Sequence, residues 1–255
     1  MLLTFDIGNS VITFGGFENG ILRFVASMSA DTQKTADEYA AGINSILSVK
    51  GVCTDSVSGA AIASVLPPLN RVLKQALNEL YGITPLVVGP GVKTGIGIRC
   101  DLPSSVGADI ICACVAAHTL YSSPALIVDL DTATKITATD ETGAFVGTSI
   151  APGVTMGLDA LSEGSVLLPK VELSHPPAGV IAKNTADCMR SGVIYGNAAM
   201  VDGMIERIFE QLGRTIPVVI TGAQAELILP YCRHEMTHDE HLVLKGLDLI
   251  YRKNV

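Results

Sequence analysis

Apolar and polar positions along the chain fall into two similar series. The first opens with LLTFDIGNS (2–10), an apolar run closed by Asp6, Gly8 and small polar residues. VITFGGFENGILRFVASM (11–28) follows, with two strand-like runs flanking Glu18-Asn19-Gly20. An Asn-Gly pair between such runs predicts a β-hairpin. The second series reads ALIVDLDTAT (125–134), then KITATD (135–140), a turn at Glu141-Thr142-Gly143, and AFVGTSI (144–150). Asp6 and Asp129 thus occupy the same place, near the end of the first strand of each series, half the chain apart.

Between and after the hairpins the apolar period lengthens to that of a helix. Helices are predicted from Thr35 through Ile46, over Leu69–Leu80, over Val106–Leu120 and over Met200–Leu212. Short apolar strands at AAIASVL (60–66), PLVVG (85–89) and PVVIT (217–221) complete an α/β pattern. The expectation is a duplicated α/β chain, two-lobed, of the kind used for phosphoryl transfer. Small residues at the turn after each first strand let a phosphate approach backbone N–H groups, and the aspartate can hold a metal or water beside it. One such turn reads equally well as an ordinary Asp-x-Gly hairpin. The second copy at a matching place is what points to a nucleotide.

Composition narrows the classes. The chain has 255 residues, 48% apolar and 16% charged, which excludes a disordered polymer and allows a large core without disulfides. A net charge of −8 leaves no electrostatic footprint for nucleic acid or an anionic membrane. Mean hydropathy is +0.43. Yet the most apolar stretch, Ile110–Leu120, falls short of the roughly 18 residues a bilayer span needs. MLLTFDIGNS has no basic segment and Asp6 interrupts it, so it does not read as a signal peptide. A cytoplasmic location is expected, with the six cysteines (53, 100, 112, 114, 188 and 232) as reduced thiols and Cys112 and Cys114 as core fillers.

An ordered set of motifs spans almost the whole chain: DIGNS (6–10), KTADEYA (34–40), ASVLPP (63–68), GPGVKTGIGIR (89–99), VGAD (106–109), VDLDTAT (128–134), APG (151–153), NTADCMRSGVIYG (184–196) and LKGLDLIYRKN (244–254). In this set the chain resembles the type III pantothenate kinases, of the actin-like and sugar-kinase superfold. The resemblance implies two ribonuclease H-like lobes, residues 1–115 and 116–255. It implies ATP-dependent phosphorylation of pantothenate to 4'-phosphopantothenate, the first step of coenzyme A biosynthesis. It also implies Mg²⁺, a monovalent cation (K⁺ or NH₄⁺) and a homodimer.

Residue by residue, the resemblance makes Asp109 the catalytic base. A primary alcohol is a poor nucleophile until its proton has an acceptor in reach, so a carboxylate is the right chemistry. The bland alternative, an acidic residue favoured at a helix N-terminus, is compatible with that role. Asp6, Ile7, Gly8, Asn9, Ser10, Val11, Ile12 and Thr13 form the first ATP segment, and Thr132 is a second phosphate contact. Cys100, Gly107, Ala108, Asp109, Ile110 and Thr185 take the substrate, with Lys93 and Thr94 in the loop leading to it. For Thr185 the alternative is a helix N-cap. Asp129 is the monovalent-cation ligand, an anionic oxygen for a hard cation.

The chain also departs from the family pattern. Ile110 stands where the family has Arg, Cys100 for Tyr, Asp131 for Gly, Lys135 for Thr, Thr148 for Gly and Ala223 for Gly. These changes leave open a second reading, a catalytically impaired homologue that binds a metabolite or regulates. Shared parity places Lys135 beside Asp131 if the segment is extended, so a compensating pair is expected there. A separate motif, His234-Glu235-Met236-Thr237-His238, matches the zinc-protease pattern only if it is helical; Pro230 and Asp239-Glu240 favour a polar loop.

Overall fold

Two central strands, each flanked by a hairpin and by a parallel neighbour, organise the chain. The computed structural model describes every residue except 174, 176 and 178. In chain order the elements are β1 (Leu2–Ile7), β2 (Val11–Glu18), β3 (Ile21–Ser29), α1 (Ala36–Val49), β4 (Gly59–Ser64), α2 (Pro67–Tyr81), β5 (Leu86–Val87) and α3 (Ala108–Leu120). Then come β6 (Leu126–Leu130), β7 (Ala133–Thr139), β8 (Phe145–Pro152), α4 (Val154–Glu163), α5 (Thr185–Leu212), β9 (Val218–Thr221), α6 (Ala225–Ile228), β10 (Thr237–His238) and α7 (Leu242–Arg252).

The first sheet has the order β3-β2-β1-β4-β5 and the second β8-β7-β6-β9-β10. Senses match as well. β1 and β6 each run antiparallel to the hairpin strand that follows and parallel to β4 and β9 respectively. This is the duplication the two apolar series predict. Leu3, Phe5 and Ile7 on β1, and Leu126, Val128 and Leu130 on β6, alternate along their strands, so one face of each is fully buried in its core.

Local signals explain the helix ends. Thr35 caps α1: its Oγ1 accepts from Glu38 N at 3.3 Å, and Glu38 Oε2 accepts from Thr35 N at 2.8 Å. Tyr39, Ala40, Ile43 and Leu47 then face the first core at helical spacing. α3 is different: Ile110 through Ala117 are all buried, because α7 covers it on a side the sheet does not. At that crossing a side chain on Gly246 would strike the Cys112 carbonyl, so only glycine allows the two helices to approach.

The chain divides into two compact units, residues 1–121 with 242–255 and residues 122–241. A boundary at 115/116 would cut α3, which is continuous to Leu120 and belongs to the first unit. The last helix also returns to the first unit, a connection the linear order of motifs conceals.

Candidate active site

In the first unit, Asp6 is the penultimate residue of β1, half-buried and paired in register with Thr13 on β2 and Ala63 on β4. Gly8 N donates to Val11 O at 3.0 Å and closes the turn. Asn9, Ser10 and Val11 are exposed there, whereas the Ile7 and Ile12 side chains are fully buried, leaving only their backbone for any ligand.

Asp109 lies in the first turn of α3, after the N-cap Gly107. Its Oδ1 is tucked against Gly107 so closely that a Cβ there would collide with it. One turn on, the Cys112 thiol is pushed well above its ordinary range by burial first, and then by the charges of Asp6 and Asp109 and by Cys114. Two carboxylates, one from β1 and one from α3, therefore act on the same buried thiol. Cys114 is pushed up to about 12 by burial and by Asp109.

Beside the start of α3 is a cavity of about 600 Å³, walled by Gly89–Val92, Thr94, Ile98, Ser104, Gly107 and Ala108 among others. Its mostly apolar wall with a few polar groups suits a small ligand. Gly107 and Ala108 line it as expected; Cys100 is half-buried outside its wall, and Ile110, buried at 9% exposure, is not part of the wall either. Asn254, just beyond α7, holds the loop that forms this wall. Its Oδ1 accepts from Lys93 N at 3.0 Å, while Nδ2 donates to Lys93 O at 2.9 Å and to Ile250 O at 2.8 Å. The sequence motif ends on Asn254 but gives no sign of this clamp, because 161 residues separate the partners.

In the second unit Asp129 is the counterpart of Asp6: penultimate on β6, paired with Lys135 on β7 and Thr221 on β9. Lys135 Nζ lies 2.8 Å from Asp129 Oδ2, with both side chains nearly buried. The other oxygen, Oδ1, faces Gly222, where a Cβ would stand 2.7 Å away; the φ of +97° at Gly222 suits glycine as well. The expected pairing of Lys135 with Asp131 is thereby corrected. Asp131 lies in the turn before β7 begins at Ala133, so strand parity does not reach it, and it is exposed. Thr132 is half-buried in that turn, which packs on the backbone of Gly153. Thr185 is the first residue of α5, but the cap is Asn184, whose Oδ1 accepts from Asp187 N at 2.9 Å. The Thr185 hydroxyl is exposed and not used as the cap.

The zinc reading fails on geometry. His234 to His238 run through a turn into β10 rather than along a helix, and among the described residues no three His, Cys, Asp or Glu side chains gather to hold a metal. The Cys232 thiol, pushed up to about 12 by burial and Asp202, is a poor ligand as well. Among the described residues no helix is long and apolar enough to cross a membrane.

Comparison with known proteins agrees with this architecture. The family model for type III pantothenate kinase matches residues 2–207. The chain is 41% identical over its full length to the full-length type III pantothenate kinase of Moorella thermoacetica. Among solved structures it is similar to a Baf family protein from Campylobacter jejuni, with a TM-score of 0.62, 18% identity and 99% and 98% of the two chains covered. It is similar also to the ROK hexokinase of Thermus thermophilus, with a TM-score of 0.53, 13% identity and coverage of 100% and 99%. These last two likenesses carry the fold.

Proposed function

Because this chain belongs to the type III pantothenate kinase family, we propose that its reaction, the ATP-dependent phosphorylation of pantothenate, runs through Asp109 as base. Nothing observed favours the impaired, regulatory alternative. The Asp109 carboxylate takes the proton of the pantothenate primary hydroxyl as that oxygen bonds to the γ-phosphorus. The bond from the γ-phosphorus to the bridging oxygen breaks, and ADP leaves with its electron pair.

The other residues position and neutralise. In the first unit, backbone N–H groups of the Asp6–Thr13 turn serve the phosphates, with Asn9 and Ser10 exposed and the Gly8 N–H committed to Val11 O. In the second unit, the Thr132 hydroxyl keeps the phosphate role the family resemblance gives it. A divalent ion, Mg²⁺ in this reading, fits the hard oxygen donor of Asp6; when bound it supplies neutralisation of the β- and γ-phosphate charge. The 600 Å³ cavity of the first unit takes the substrate. In the second unit the Thr185 hydroxyl is exposed and keeps the substrate role the family resemblance gives it. The protein acts as a cytoplasmic homodimer, with neither nucleic acid nor membrane as partner.

The observation that carries this reading is the placement of Asp109. It sits on the helix whose first residues wall the cavity, and shares with Asp6 its influence on the Cys112 thiol. The test is an assay coupling ADP release to pantothenate, with ATP and Mg²⁺. Turnover that requires pantothenate supports the reading. ADP release that ignores pantothenate would overturn it.

A further inference from the structure

The internal duplication supplies its own control. In the first unit Asp6 has Thr13 directly across the ladder; in the second, Asp129 has Lys135 in that position. The two aspartates are equivalent in strand, place and sheet order, yet the residue across the ladder is a threonine for one and a lysine, ion-paired to it, for the other. The Lys135 ammonium is a monovalent cation, and it already lies 2.8 Å from Oδ2 of the carboxylate that a monovalent metal ion would need. Oδ1 is turned toward the Gly222 backbone. With both side chains no more than 14% exposed, solvent screens the pair weakly. A second cation on this carboxylate would stand close to Nζ. Like charges about 4 Å apart at an effective dielectric near 20 would weaken its binding by on the order of 10²–10³-fold. The donor set therefore does not fit a potassium site.

We propose that Lys135 is a tethered replacement for the monovalent cation, so that this kinase works without potassium or ammonium. Lys135 is a positioning residue here: it neutralises Asp129 and keeps that carboxylate from repelling the nucleotide phosphates, without touching the reacting atoms. The inference rests on the kinase reading, but binding of the ion can be measured apart from turnover.

Two measurements test it. Turnover is followed in choline chloride buffer, with potassium or ammonium chloride replacing choline at constant ionic strength. The wild-type chain is expected to change by less than about twofold, and Lys135→Thr to become dependent on potassium by about tenfold or more. Rubidium, a potassium surrogate, is then followed by equilibrium dialysis on the protein without nucleotide. The wild-type chain is expected to retain none, and Lys135→Thr to retain up to one ion per chain. Wild-type turnover that rises tenfold with potassium, or stoichiometric rubidium on the wild-type chain, would overturn the inference even if Lys135→Thr does not fold. A chain inactive in every salt would fail the kinase reading alone, while the rubidium result would still decide the question of the ion.

Discussion

At the scale of single residues, chemistry depends on where one carboxylate points. Asp109→Asn keeps the shape and removes the proton acceptor, so turnover is expected to fall by about 10²-fold or more with the melting temperature unchanged. Near-normal turnover in that variant would remove Asp109 from the role. Gly107→Ala tests position instead of charge. The new methyl would meet Asp109 Oδ1, and the displaced carboxylate is expected to cost about tenfold in kcat while pantothenate still binds. The buried thiols give a pH signature. The folded-state value of Cys114 is raised from 9.0 to about 12, so between those values the unfolded chain has lost a proton that the folded chain keeps. Stability is therefore complete below pH 9 and declines as pH rises toward 12. Urea midpoints at pH 8 and pH 10.5 are expected to show that decline, and Cys114→Ala to reduce it. Iodoacetamide at pH 8 should label exposed Cys53 and Cys188 and spare Cys112 and Cys114. Residue types were legible in the sequence: Asp6, Asp109, Asp129 and Gly107 all declare themselves through neighbours. Pairings were less so. Strand parity pairs Lys135 with Asp131 only if the extended segment includes residue 131, which lies in a turn, and the actual partner, Asp129, appears only once β6 and β7 are in register.

At the scale of elements, legibility followed the strength of local signals. The capping box at Thr35 and Glu38 marks the start of α1, and the Asn19-Gly20 turn marks the first hairpin; both stand where the pattern puts them. α5 begins at Thr185, well before the expected Met200, because Gly192, Gly196 and Asn197 weaken helical spacing that tertiary packing then restores. α7 is not among the predicted helices, although Leu242, Val243, Leu247 and Ile250 lie at helical spacing and are buried. The consequence is functional, since Asn254 at its end clamps Lys93. Asn254→Ala is expected to loosen the 89–98 loop, raising KM for pantothenate several-fold while kcat falls less. Because each lost hydrogen bond is worth about 1 kcal/mol net, the melting temperature should drop by only a few degrees. An unchanged KM would show that the loop holds its shape without the clamp.

At the scale of the whole molecule, the duplication gives each sheet a first strand ending in an acidic turn, and the two copies have since diverged in what faces the aspartate. The second unit has diverged on its surface too. On α4, Val154 and Leu158 are buried, whereas Met156 is 48% and Leu161 43% exposed. Beyond it Val166 and Leu167 are almost fully exposed, and Ile150 on β8 is 67% exposed. Single exposed apolar side chains are ordinary, but here five fall within one strand–helix–loop segment, residues 150–167. A second copy of the chain is the occupant that the family resemblance implies. Light scattering at micromolar concentration is expected to give twice the 26.6 kDa of one chain. The double change Met156→Arg with Leu161→Arg is expected to give the single mass, because a dimer interface of about 800 Å² per partner does not absorb two buried unpaired charges. Neither position contributes to the core, so circular dichroism should show the same secondary structure in both proteins. A wild-type chain that scatters as a monomer while turning over pantothenate would leave this apolar segment in water in the working enzyme and remove the homodimer from the reading.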